Sequence, residues 1–123
     1  MNVNKLIVDT LTPIIPNDTP DTPNIKHLKY SGLSNTYIVF NYTDDRGELF
    51  ADDTPQEDIA SLQIHLFCPG DYNYLNLKKQ IRSKLFAAGF TYPEIPFDTY
   101  EKDTDKKHIV FECEIDGNSE VEE

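Results

Sequence analysis

The chain has 123 residues, 38% of them apolar and 27% charged, so it can bury one core without metal or disulfide staples and is not a disordered sequence. Its net charge of −11 argues against direct binding to a nucleic-acid backbone, because Lys and Arg carry phosphate binding. No run of about 18 apolar residues exists, and Met1 to Leu11 lacks a signal-peptide layout, so neither a membrane span nor export is expected.

Val3, Leu6, Ile7, Thr10 and Leu11 recur at helical spacing behind Asn2, a good N-cap, and Pro13 forbids continuation; this predicts a first helix over 3–12. Residues 13–35 hold four of the eight prolines and read as a long loop. Tyr37, Ile38, Val39, Phe40 and Tyr42 form a β-branched and aromatic run, the composition of a strand. Residues 43–57, TDDRGELFADDTPQE, read as an acidic hairpin loop. Ala60, Leu62, Ile64 and Leu66 then alternate with Ser61, Gln63, His65 and Phe67, the period of a half-buried strand.

Asp71 is expected to cap a second helix that ends at Ala88, with Gly89 closing it and Tyr74, Leu77, Ile81, Leu85 and Ala88 turned inward. Pro96 to Lys102 reads as a strand, and Ile109, Phe111, Cys113 and Ile115 define one face of another beyond the turn EKDTDKK. Residues 116–123 read as an acidic flexible tail. The expected fold is α+β, one domain over 1–115 in the order α-β-β-α-β-β, with two helices packed on a four-stranded antiparallel sheet.

Glycine-rich phosphate loops are absent, which argues against common nucleotide cofactors. His27, His65, His108, Cys68 and Cys113 are scattered instead of paired at zinc-ligand spacing, so no metal is expected. His65 and His108 read as half-exposed strand residues, and the two cysteines as buried thiols. The acids of DDRGELFADD stand in adjacent pairs, not at the alternate positions of a calcium loop. With no catalytic constellation in the sequence, no enzymatic activity is expected.

Two features point to protein contacts. Helical projection places Leu75, Arg82 and Phe86 opposite the inward stripe, and a helix apolar on two sides is usually covered on two sides. Leu49 and Phe50 sit amid the acids Asp44, Asp45, Glu48, Asp52 and Asp53. Charge is also segregated: residues 41–70 sum to −6, and 71–90, with Lys78, Lys79, Arg82 and Lys84, to +3. These two groups are the candidate interface residues; the acidic segment is expected to order on a partner, the alternative being that it folds Leu49 and Phe50 back onto the core.

The element order, the run TYIVFNYTDDRGELFADD, the stretch IASLQIHLFCPGDYNYLNLKKQIRSKLFAAGF and the close FDTYEKDTDKKHIVFECEI together resemble the tail-completion proteins of long-tailed bacteriophages and prophages. These are also called tail-terminator or minor head-to-tail joining proteins. The resemblance implies a structural protein of the virion tail or neck, assembled in the host cytoplasm. It implies a homo-oligomeric ring, commonly a hexamer, that caps the tail tube, with the tail-tube and head-completion proteins as further partners and a monomer as an allowed free state. The alternative reading is a small acidic inhibitor, a DNA mimic that occupies a nucleic-acid-binding protein.

Overall fold

A computed structural model describes residues 2–15, 17–19, 22–23, 25–27, 36–51, 54–70 and 73–116, with backbone alone for 17–19, 22–23, 27, 44–51 and 54–58. Helix α1 (Val3–Leu11) starts where Asn2 accepts the Lys5 amide at 3.0 Å, and it buries Val3, Ile7 and Leu11 along one stripe. Pro13 turns the chain into a short 3-10 helix, Thr12–Ile14.

The expected loop over 13–35 contains more regular structure than its prolines suggest. Strands β1 (Asn17–Thr19) and β2 (Thr22–Pro23) form a two-stranded antiparallel pair. Strand β3 (Ile25–His27) runs parallel to β4 (Tyr37–Ala51), with Ile25 opposite Ile38 and His27 opposite Phe40. Three residues are too few to show a period, which is why the sequence conceals this strand.

The remaining strands are β5 (Thr54–Pro69), β6 (Glu94–Glu101) and β7 (Lys106–Asp116). The sheet order is β3-β4-β5-β7-β6. The fold is α+β with two helices, but the sheet has five strands and is mixed, because β3 adds a parallel edge to the four antiparallel strands expected.

A second correction concerns 43–57. The backbone there is strand: β4 and β5 stay paired from Tyr37 opposite Phe67 as far as Ala51 opposite Thr54. β7 pairs with β5 only from Ile59 inward, so Gly47–Ala51 and Thr54–Asp58 form a two-stranded arm past the described end of β7. At about 3.3 Å per residue the arm runs roughly 15 Å past the described end of β7. Strand β7 itself continues to Asp116, into the expected tail; residues 117–123 lie outside the described residues.

Helix α2 (Tyr74–Ala87) is capped by Asn73, whose side chain accepts the Asn76 amide; the expected cap, Asp71, lies outside the described residues. It buries Leu77, Ile81 and Leu85. Gly89, at φ 110°, ends it: its amide bonds Phe86 O, while the Phe90 amide bonds Leu85 O and Phe90 enters the core. That double bond is a Schellman closure, in which only a residue without Cβ takes the left-handed step freely. Ile38, Phe40, Leu62, Ile64, Leu66, Ile109 and Phe111 face both helices in one core. Tyr42 Oη donates to Asn4 Oδ1 of α1, and Lys107 lies over the Tyr74 ring of α2, so both helices cover the same side of the sheet.

Candidate interaction surfaces

The outward side of α2 is the first surface. Leu75 is 62% exposed and Phe86 59%, as the helical projection requires, and Phe86 meets the exposed Tyr92 edge to face at 5.7 Å between centroids. The cations nearby divide into two kinds. Lys79 and Lys84 are exposed and form no ion pair with a described residue. Arg82 instead donates Nε to the Pro93 carbonyl at 3.0 Å and stacks 4.5 Å from the Tyr92 centroid, fixing the chain after Gly89 to the helix.

Lys78 is not a free cation either. It bonds Asp98 at 2.8 Å, and Lys107 bonds the other Asp98 oxygen at 2.6 Å. Burial alone would raise the Asp98 carboxyl, but the two ammonium groups outweigh it and hold that carboxyl below the usual range. Of the expected basic patch, Lys79 and Lys84 therefore remain for a partner, beside an apolar group of Leu75, Phe86 and Tyr92.

The arm is the second surface. Glu48, Leu49 and Phe50 lie on its β4 strand, where the sequence suggested a loop, while Asp44 and Asp45 precede it on β4, opposite the part of β5 that also pairs with β7. Asp52 and Asp53 lie outside the described residues. A two-stranded ribbon is marginal in water by itself and gains stability when something covers it.

The side of the sheet away from the helices is the third surface, and no sequence pattern signals its organisation. Asn41, His65, His108 and Glu101 form a hydrogen-bonded chain across β4, β5, β7 and β6. His65 Nε2 meets Asn41 Oδ1 at 3.2 Å, His65 Nδ1 meets His108 Nε2 at 2.9 Å, and His108 Nδ1 meets Glu101 Oε2 at 3.1 Å. Phe67 stacks between Tyr37 and His108, with centroids at 5.0 and 4.2 Å. Burial, helped by the neighbouring His108, holds His65 below the ordinary imidazole value.

Farther along this face, Gln63 donates to Glu112 and Ser61 to Glu114, each at 2.9 Å. Ser61, Glu112 and Glu114, with Thr91 and Glu94, line an open cleft of about 510 Å³, whose carboxylates suit a cationic group better than an anionic one. No group of three or more His, Cys, Asp or Glu among the described residues converges to hold a metal ion. Cys68 and Cys113 are buried and unbridged: Cys113 pairs in register with Leu62, six residues along β5 from Cys68, a separation of about 20 Å.

No family model matches this chain, and no curated protein matches it. Among the solved structures that match, one aligns over 98% of this chain and 96% of its own, with a TM-score of 0.58 and 10% sequence identity. Its printed name describes no function. The likeness is one of fold. It extends over the helices and the sheet together, so the described arrangement recurs in a chain of nearly unrelated sequence.

Proposed function

We propose that this chain is a structural tail-completion protein of a long-tailed bacteriophage or prophage. It closes into a ring on the end of the tail tube, stops tube growth and offers a surface to the head-completion proteins. One observation carries the reading: the molecule bears both a projecting acidic arm and, on another surface, an exposed apolar helix face flanked by Lys79 and Lys84.

Two different, complementary patches on identical copies make a head-to-tail contact, and such contacts close into rings when the rotation between copies allows. Covering the arm with a neighbour's α2 supplies the packing that a free ribbon lacks. Apolar burial at Leu75, Phe86 and Tyr92 then provides most of the affinity, while the charges set register and speed encounter. An exposed ion pair contributes only about 0–1 kcal/mol, so a free monomer that assembles on the tube end is consistent with the chemistry.

Tail-tube protein from the same genome, polymerised with and without this chain, tests the proposal by electron microscopy. Tubes ending in a ring of this protein and halted in length are expected. Tubes that keep growing with bare ends at saturating concentrations of the chain would overturn it.

A further inference from the structure

We propose that His65 and His108 bind a single divalent transition-metal ion of the zinc and copper class on the sheet face opposite the helices. Each ring is held at its outer nitrogen by an oxygen acceptor, Asn41 Oδ1 for His65 and Glu101 Oε2 for His108. This is how metal-ligating histidines are commonly oriented, with the second ring nitrogen donating to an amide or carboxylate oxygen. When both rings are neutral and donate outward, each inner nitrogen carries a bare lone pair. Those two nitrogens stand 2.9 Å apart: without a cation one ring must take the other tautomer and donate inward, giving up its outward donation, whereas a cation between them lets both rings keep donating outward.

A proton can serve as that cation, and so can a metal ion. Two zinc–nitrogen bonds of about 2.0–2.1 Å at a tetrahedral angle need nitrogens roughly 3.4 Å apart, so the rings must separate by about half an ångström. The partly exposed rings lie on a strand face that neither described helix covers, and Phe67 stacked against His108 keeps that ring in plane. Lys106 and Glu112 share this face; their opposite charges leave the balance to Glu101, whose carboxylate favours the metal-bound form. With two protein ligands, water or a group from a docked protein fills the other positions, and affinity is modest.

Zinc titration of the full chain at pH 7, with millimolar magnesium occupying the surface carboxylates, tests the proposal. The histidine Cε1–H resonances are followed by NMR and binding by calorimetry. The resonances of His65 and His108 should shift together at one equivalent while that of His27 does not. His65→Gln or His108→Gln should abolish binding, His27→Gln should leave it unchanged, and Glu101→Gln should weaken it roughly tenfold by releasing the His108 ring. Thermal melts of the variants establish that each remains folded. Independent shifts of the two resonances, unchanged binding in either histidine variant, or no response to zinc would show that the pair shares only a proton and would overturn the proposal.

Discussion

Arg82 lies over the ring of Tyr92, its guanidinium carbon 4.5 Å from the centroid, while its Nε bonds the carbonyl of Pro93. The contact ties α2 to the segment that follows its closing turn, so Arg82 is part of the folded structure as well as of the exposed face. Arg82→Ala should lower stability by about 1–2 kcal/mol, the sum of a stacked cation and one hydrogen bond. Arg82→Lys should recover little of it, because an ammonium cannot stack and donate sideways at once. Urea unfolding at pH 7 measures both, and an unchanged midpoint for Arg82→Ala would contradict the assignment.

Asp98 gives the acid limb of stability a specific contributor. Its carboxyl is depressed in the folded chain, so its contribution is fully present above the unfolded value near 4 and is lost as pH falls through the lower folded value. Asp98→Asn should cost about 1–2 kcal/mol at pH 7, where Lys78 and Lys107 lose their shared partner. The difference from the parent should shrink as pH falls below 4 and through the lower folded value. A gap that stays constant across the whole acid range in which the chain remains folded would mean that packing, and not the ion pairs, carries the effect.

The cysteines should be silent in the native state. Burial pushes the Cys113 thiol up to about 12, and burial also raises Cys68 despite the nearby Lys106 and Lys107. Since the thiolate is the reactive form, alkylation by iodoacetamide at pH 8 should follow global unfolding for both. Rapid labelling of either one in the folded protein, read by mass spectrometry, would contradict its placement.

Gly89 should resist substitution even where space allows. A Cβ there would meet Ile115 Cδ1 at 3.7 Å, an ordinary contact, so strain from φ 110° is the whole penalty. Gly89→Ala is expected to lower stability by about 1 kcal/mol or slightly more, measured as a shift of the thermal midpoint.

What the sequence revealed follows from periodicity. The alternation at Ala60 to Phe67 and at Ile109 to Ile115, the inward stripe of α2 and the turn at Gly89 all appear where they were expected, because each is a repeated or local signal. The length of the arm did not appear, since its acids have low strand propensity and pairing with β5 overrides it. β3 was hidden by its brevity. The His65–His108 contact joins residues 43 apart in sequence and exists only through the register of β5 against β7, which no spacing rule reads. The Lys78–Asp98 ion pair joins residues 20 apart and has no spacing signature in the sequence.

The measurement that bears most directly on the account is tail completion by charge-swapped chains, using the exposed cations that pair with no described residue. Lys79→Glu with Lys84→Glu should leave the monomer's melting temperature nearly unchanged while preventing ring formation on tail tubes, since both side chains are exposed. Adding Asp52→Lys and Asp53→Lys should restore a substantial part of it, because the reversed helix face then meets a reversed arm. Rings that form equally well with the helix charges reversed, or a fourfold variant no better than the double one, would contradict the proposed contact between arm and helix.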